Sequence, residues 1–117
     1  MKTKRRKLID KLDKLWSEKV KSVGKCAYCG KDSYLNPHHI YSRSNYSTRW
    51  DLDNGICLCS GCHTLSSTFS AHKTPMEFSE YIKEKRGNEW FNRLRAKAKQ
   101  VVKYSNSDLE EMIENWS

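Results

Sequence analysis

Metal-binding side chains are concentrated in one part of the sequence. All five cysteines and all four histidines fall between residues 26 and 72, and four of the cysteines form two C-x-x-C pairs, CAYC and CSGC. This spacing lets both thiolates of a tight turn reach one ion, so two such pairs predict a closed tetrahedral site of the kind that binds structural zinc. Chance spacing of buried cysteines is the alternative. The four predicted ligands are Cys26, Cys29, Cys59 and Cys62.

The interval between the cysteine pairs indicates what this zinc ion would join. Twenty-nine residues separate Cys29 from Cys59, which is enough for a whole hairpin. Zinc would then tie the entry of a first strand to the exit of a second, and so replace hydrophobic core. Cys57 is predicted on the same strand face as Cys59, because side chains alternate along a strand. We expect it to be a small buried residue, with competition for the metal as the alternative.

The histidines require a separate explanation, because four thiolates already saturate one zinc ion. His38 and His39 are adjacent, and neighbouring side chains on a strand point to opposite faces, so different roles are expected for them. His63 follows a zinc cysteine at the start of a predicted helix. A strand histidine that faces this helix could share a second metal with it. Four unrelated surface histidines are the alternative.

Hydrophobic patterning predicts the elements that position these side chains. Apolar residues at helical spacing indicate an amphipathic helix over residues 5–21. A short strand is expected around residues 39–41 and a second over the apolar run GICLC, with a polar loop between them. A helix is then expected to begin near Gly61 and to carry Cys62 and His63 in its first turns.

The last part of the chain is predicted to be helical. Thr74 is the expected N-cap of a helix with a proline in its first position, and Glu77 would complete a capping box. Gly87 is predicted to end this helix. After a further basic helix, Ser107 is the expected cap of a short final helix.

Length and composition indicate a single small domain. The chain has 117 residues, of which 37% are hydrophobic. A domain with so little apolar core often uses a metal to hold its fold. We predict a small α+β fold in three parts that pack together. These are a basic N-terminal helix over residues 1–24, a zinc-held core over 25–73 and a helical extension over 74–117.

The charge indicates the class of partner. Lysine and arginine outnumber aspartate and glutamate by 22 to 14, and the resulting net charge of +8 favours a polyanion. A membrane surface is the weaker alternative. No apolar run is long enough for a membrane span or a signal-peptide core. An odd cysteine count with C-x-x-C spacing indicates a reducing compartment, so an intracellular protein that is not secreted is expected.

The segment between the first cysteine and the last histidine resembles the HNH endonuclease family. This family has the ββα-metal (His-Me finger) fold, and the resemblance is to its variant with two zinc-binding C-x-x-C pairs. It rests on the adjacent His38 and His39, on Asn54, and on the run LCSGCH that ends at His63. The longer run from His38 to Phe78 is also similar to phage NinG/Rap-like recombination nucleases.

The resemblance implies a role for each residue of the motif. His38 and His63 would bind a catalytic divalent metal, and His39 would be the general base that activates water. Asn54 would hold the loop that orients this base. Some family members have a further histidine ligand on the helix, for which His72 is the candidate. Its separation of nine residues from His63 departs from the four-residue spacing of a continuous helix, so a phosphate contact or a surface position stays open.

Such a set of side chains suits phosphodiester hydrolysis. A metal neutralises charge on the scissile phosphate and on the leaving oxygen. A neutral imidazole with an ordinary pKa of about 6.5 can take the proton of the attacking water at physiological pH. Two or three histidine ligands leave positions open on the metal, and Mg²⁺, Mn²⁺ and Ni²⁺ all suit the set.

DNA contacts are expected from the loop between the strands and from two basic stretches. Arg43 is the first candidate for a backbone contact and Arg49 the second, while Trp50 is expected to pack the loop, with base stacking as the alternative. The family's ββα element enters the minor groove, where readout is degenerate, so weak sequence preference is expected. The basic stretches 2–21 and 83–103 would add phosphate binding that is sensitive to salt.

These predictions describe a metal-dependent HNH endonuclease that nicks or cuts double-stranded or branched DNA. The resemblance to phage proteins implies a phage origin and a location in the cytoplasm of a bacterial host. The sequence leaves open a monomer or a homodimer. The alternative function is a catalytically inactive, zinc-stabilised DNA-binding module, and a third is a small interaction protein built on the cysteine site.

Overall fold

A two-stranded antiparallel sheet and four α-helices form the part of the chain that the structure describes, residues 1–116 of a computed structural model. The predicted small α+β class is confirmed. A 3-10 turn at Leu52–Asn54 precedes the second strand, and a π-helical turn at Gly61–Leu65 follows it. The principal elements are α1 (Lys4–Lys21), β1 (Leu35–His39), β2 (Gly55–Cys59), α2 (Pro75–Arg86), α3 (Asn88–Ala98) and α4 (Asn106–Glu114).

The first strand begins earlier than the sequence suggested. It was expected around residues 39–41, but β1 ends at His39, which pairs with Gly55 of β2. Two features explain the difference. Pro37 lies inside β1 and opposite Cys57, and proline is normally a sign against a strand, although an edge strand tolerates it. After His39 the backbone stops pairing with β2. The amide of Tyr41 donates to the side chain of Asn54, at 2.7 Å, and not to a backbone carbonyl of β2.

The sheet separates two hydrophobic clusters. Ile56 and Leu58 of β2 belong to the first cluster, which is completed by side chains from α2 and α3. Cys57 belongs to the second cluster, with Leu12 and Trp16 of α1 and a leucine of α4. Both faces of β2 are therefore covered by helices, and all five of its residues are buried. The helix predicted over residues 5–21 is confirmed as α1.

The contact between α1 and the start of β2 requires a glycine. A Cβ atom on Gly55 would lie 2.5 Å from Cγ2 of Val20 and 2.8 Å from Cζ2 of Trp16. We predict that Gly55→Ala lowers the free energy of unfolding by about 1–3 kcal/mol, because a packed core accommodates an extra methyl group only by shifting. Chemical denaturation checks this, with Gly61→Ala as the control. The nearest atom to a Cβ at Gly61 is 3.9 Å away, so an equal loss in both variants would contradict the prediction.

The predicted helix after β2 is a single turn. It begins at Gly61 as expected, but the π-helical turn ends at Leu65, where the amide of Ser66 donates back to the Gly61 carbonyl at 2.9 Å. The chain then reverses. The amide of Ala71 donates to the Cys62 carbonyl at 2.8 Å, and the amide of His72 donates to the His63 carbonyl at 3.0 Å. This return places residue 72 beside residue 63.

The two ends of α2 agree only in part with the caps predicted from the sequence. Gly87, with a φ of 89°, closes α2 as predicted. Thr74 is at the N-cap of α2, but the capping box with Glu77 does not form, because the Thr74 hydroxyl is hydrogen-bonded to the backbone of Ser70.

The N-cap prediction for the final helix was wrong by two residues. Ser105 caps α4, because its side chain accepts from the amide of Asp108 while the carboxylate of Asp108 accepts from the amide of Ser105. Ser107 lies inside the helix. The last residue of the predicted C-terminal extension, 117, lies outside the described residues. Within residues 1–116, no helix combines the length and the apolar character that crossing a bilayer requires.

Candidate metal sites and active site

The four cysteines of the two pairs lie together. Their sulfur atoms are all within 4.8 Å of one another, and the sulfurs of Cys29 and Cys59 are 3.6 Å apart. The first pair is held in a turn in which the amide of Gly30 donates to the Cys26 carbonyl at 3.0 Å. The amide of Ala27 then ties this turn to β2 through the carbonyl of Cys57, at 2.9 Å.

The chemistry of this cluster fits zinc. Burial opposes ionisation of Cys26, but backbone N–H groups of Cys29, Cys59 and Tyr28 outweigh it and lower the pKa of this thiol to about 6. Burial raises the pKa of Cys62, but a metal ion deprotonates the thiols that coordinate it, and thiolates are the ligands that zinc prefers in closed tetrahedral sites. Cys57 is separate from this group in the described chain. It packs in the second hydrophobic cluster, where burial raises the pKa of its thiol.

Three histidines form a second cluster. One ring nitrogen of each of His38, His63 and His72 lies within 4.8 Å of the others. Nδ1 of His38 is 3.1 Å from Nε2 of His63, which is itself 3.1 Å from Nε2 of His72. Burial, with the neighbouring rings of His63 and His72, lowers the pKa of His38 to about 3. Its lone pair is thus free at neutral pH, so the three rings can hold a divalent metal.

The position of His72 follows from the reversal of the chain after the π-helical turn. The two residues do not have the spacing that would bring them together on a continuous helix. A backbone hydrogen bond between His72 and His63 brings them together instead. The sequence left the role of His72 open, and the structure brings it to the same point as the other two rings. His38, which lies on β1, faces this pair as the alternation of the strand predicts.

His39 faces the opposite way and has a different environment. Its ring stacks on the indole of Trp16, with ring centroids 3.8 Å apart and planes at 9°. Its Nε2 is 3.0 Å from the carbonyl oxygen of Arg49, and since a carbonyl only accepts, Nε2 carries the proton. Burial lowers the pKa of His39 below its ordinary value, although the hydrogen bond to Arg49 acts in the opposite direction.

The other ring nitrogen of His39, Nδ1, is not fully buried. Within residues 1–116, every buried side-chain nitrogen and oxygen has a hydrogen-bond partner. The ring makes a single hydrogen bond in this part of the chain, through Nε2, so Nδ1 is not buried. A neutral imidazole with a free, solvent-facing lone pair can accept a proton from water.

Asn54 fastens the loop that follows His39. Its side chain is fully buried, accepts from the amide of Tyr41 at 2.7 Å, and donates to the carbonyls of Tyr41 and Thr48, both at 3.1 Å. Its backbone carbonyl accepts from the amide of Ile40 at 2.9 Å. These bonds tie Asn54 to both ends of the loop, while its predicted role in orienting the base stays a prediction.

One open cleft of about 490 Å³ contains most of these groups. Arg43, which is exposed, stands at its edge. The three clustered histidines and His39 therefore line the same cleft. The lining residues are Pro37, His38, His39, Ile40, Ser42, Arg43, His63 and His72.

Arg49 is not in the cleft, and this corrects its expected role as a DNA contact. Its side chain is 6% exposed and forms a two-point ion pair with Asp13, at 3.0 and 2.7 Å. Trp50 is also buried and donates its indole N–H to Asp13 at 2.8 Å, which agrees with the expectation that it packs the loop. Burial alone would raise the pKa of Asp13, but the hydrogen bonds from Arg49 and Trp50 outweigh it and lower that pKa.

Three cations of the second basic stretch, residues 83–103, form contacts with other parts of the protein. Arg86 donates to the carbonyls of Asp53 and Gly55, at 3.2 and 2.9 Å. Arg93 and Lys97 of α3 form ion pairs with Asp53 and Asp51 respectively. These three cations hold α2 and α3 to the segment before β2, so they cannot all be counted as a surface for phosphate.

Comparison with known proteins agrees with this geometry. Residues 26–69 match the HNH endonuclease family. The matched HNH segment covers less than half of the chain and contains both cysteine pairs, the adjacent histidines, Asn54 and His63. It stops short of His72 and excludes α1. No curated protein and no solved structure gives a match, so the closer resemblance to phage NinG/Rap-like nucleases stays a prediction.

The residues that sequence analysis missed are Asp13 and Trp16. Both lie on α1, outside the HNH segment, and both contact residues next to the cleft. One signal was present, because Asp13 places a carboxylate on the helix face that carries Ile9, Leu12 and Trp16. A carboxylate on a buried face requires a partner, but the sequence does not say which one.

Proposed function

We propose that the protein is a metal-dependent HNH endonuclease that hydrolyses DNA phosphodiester bonds. The observation that carries this proposal is the cleft itself. It is lined by three histidines whose ring nitrogens lie close enough to bind one divalent cation, and by a fourth histidine, His39. The match of residues 26–69 to the HNH endonuclease family suggests nuclease activity and a nucleic-acid substrate.

The two metal sites have different tasks in this proposal. Cys26, Cys29, Cys59 and Cys62 would hold a zinc ion that joins the first turn to β2 and to the π-helical turn. In the second site, Mg²⁺, Mn²⁺ or Ni²⁺ would be held by His38, His63 and His72. When bound, this cation would neutralise charge on the scissile phosphate and the leaving oxygen.

His39 is the proposed general base. Its Nε2–H donates to the Arg49 carbonyl, which leaves the lone pair on Nδ1 for a proton of water. Burial keeps the ring neutral near pH 7, since it lowers the pKa of His39. Asn54 contributes by holding the backbone that follows the base.

Arg43 is the proposed phosphate contact. It lies on the edge of the cleft and is exposed, whereas Arg49 is paired with Asp13. A guanidinium suits the two-point geometry of a phosphate group. The resemblance extends the proposal to double-stranded or branched DNA and to a phage protein, nicking as a monomer or cutting both strands as a homodimer.

The proposed arrangement of the chain keeps the three predicted parts. Residues 25–73 would form the catalytic core, residues 1–24 the N-terminal helix and residues 74–117 the helical extension. Both flanking parts pack on the sheet, since α1 contributes to one hydrophobic cluster and α2 and α3 to the other. We therefore propose that all three parts form one folding unit.

Supercoiled plasmid tests the function directly. The protein is incubated with plasmid and Mg²⁺, Mn²⁺ or Ni²⁺, beside an EDTA control and the His63→Ala variant. Open-circle or linear DNA is expected with metal, and its formation should stop with EDTA and fall strongly in His63→Ala, because one of three metal ligands is lost. DNA binding without cleavage under every metal would contradict the nuclease and favour the inactive DNA-binding module.

A further inference from the structure

We propose that α1 is part of the catalytic apparatus, because Trp16 and Asp13 hold the ring of His39 in its working orientation. Both are positioning residues in this scheme, since neither lies in the cleft. The inference rests on the proposed function, in which His39 is the general base. It goes beyond that function because α1 lies outside the segment that matches the HNH family.

Trp16 fixes the plane of the His39 ring. The two rings stack at 3.8 Å and 9°, and the indole is 1% exposed. The indole is itself fixed, since its N–H donates to the Asp51 carbonyl at 3.0 Å. It also lies so close to Gly55 that a Cβ there would be 2.8 Å from it. A rigid platform of this kind restricts rotation of the imidazole about its side-chain bonds.

Asp13 fixes the acceptor that selects the tautomer of His39. The carboxylate holds the Arg49 guanidinium at two points, and the remaining Arg49 nitrogen donates to the Arg43 carbonyl at 3.1 Å. The backbone of Arg49 is thereby held where its carbonyl accepts from Nε2 of His39 at 3.0 Å. Without that acceptor, the proton is free to move to Nδ1, which would remove the lone pair that faces solvent.

Asp13 and Trp16 support His39 from the same helix. Asp13 and Trp16 lie three residues apart on α1, and so both project from the same face of the helix. One contacts the base through its ring and the other through Arg49. The HNH segment alone would contain His39 and Arg49 but neither of their partners from α1.

The first test reads the tautomer of His39 by NMR, in long-range proton–nitrogen spectra of the zinc-containing protein at pH 7.5. Wild-type protein should show His39 protonated at Nε2 only. Asp13→Asn and Trp16→Leu should show a mixture of the two tautomers, with the His39 ring signals shifted. The matched controls are Asp10→Asn, a carboxylate of α1 that pairs with Lys2 and Arg6 and not with Arg49, and Trp116→Leu, in the same hydrophobic cluster as Trp16. Both controls should keep the wild-type tautomer.

The second test measures plasmid nicking by the same variants. Asp13→Asn and Trp16→Leu are expected to lower kcat about 10- to 100-fold, by analogy with the loss of outer partners of metal-binding histidines, with KM and DNA affinity unchanged. Trp16→Phe should recover most of the loss because it restores a ring for stacking. Asp10→Asn and Trp116→Leu should retain the wild-type kcat.

The two tests separate this inference from the proposed function. An unchanged tautomer and an unchanged kcat in both Asp13→Asn and Trp16→Leu would overturn the inference and leave the nuclease in place. If wild-type protein cleaves no DNA, the proposed function fails, and the NMR result still decides whether α1 positions His39. Trp16→Phe and Asp13→Asn keep the test decisive if Trp16→Leu does not fold.

Discussion

Cys59→Ala is expected to unfold most of the protein at room temperature. The sulfur of this residue lies within 4.8 Å of the other three in a cluster that fits zinc. Binding of structural zinc contributes about 10–16 kcal/mol in small zinc domains, which is comparable to the whole stability of a typical domain, about 5–15 kcal/mol. Loss of one thiolate opens the site and removes most of that contribution. Circular dichroism melting, with zinc content measured on the same samples, checks the expected collapse.

Cys57→Ala is the matched control for this prediction. Cys57 lies two positions away on the same strand and is as buried as Cys59, at 3% against 4% exposure. It belongs to the cluster beside α1 and not to the thiolate group. This variant should lose only a small packing contribution and keep its zinc. Equal destabilisation in the two variants, or full zinc content in Cys59→Ala, would show that the four-cysteine cluster does not hold the fold.

His39→Ala is expected to lower the rate of DNA cleavage by about 10²- to 10⁴-fold, the usual contribution of a general base. The free Nδ1 is the group that would take the proton from water, and the substitution removes it. DNA affinity and metal binding should stay near wild type, because the three metal-binding rings and Arg43 are untouched. Single-turnover nicking assays and fluorescence anisotropy with labelled DNA measure the two quantities separately.

Chemical rescue distinguishes loss of a base from a general disturbance of the site. The substitution leaves a gap against the indole of Trp16, where the imidazole ring stacks. Free imidazole added to His39→Ala should enter this gap and restore part of the activity, while it leaves the wild-type rate unchanged. Cleavage by His39→Ala at the wild-type rate would leave the metal site standing but remove His39 as the base.

The parts of the site that depend on local spacing were predictable from sequence. A C-x-x-C turn brings its own thiolates together, so Cys26 and Cys29 needed no tertiary information. The alternation of a strand was enough to assign His38 and His39 to different faces. The position of β1 was not predictable in the same way, because Pro37 argues against a strand at positions where the chain in fact pairs with β2.

The remaining features of the site were not predictable, because they depend on contacts between segments that are far apart in the sequence. The separation of nine residues between His63 and His72 gives no hint that two backbone hydrogen bonds close the intervening loop. The burial of Arg49 depends on Asp13, which is 36 residues earlier, and an arginine in a polar loop normally remains exposed. In both cases the contact depends on how the chain folds back on itself. The periodicity of residues within one helix or strand does not predict this.

The π-helical turn has a consequence for when the protein can act. Its consecutive residues Cys62 and His63 belong to different clusters, one made of sulfur and the other of nitrogen. In the proposed function, a metal in the four-cysteine site would therefore also fix the place of His63, a ligand of the second site. If the protein is the nuclease proposed above, a newly synthesised chain would be inactive towards nucleic acid until the four-cysteine site is filled, so binding of one metal would control a reaction that depends on another.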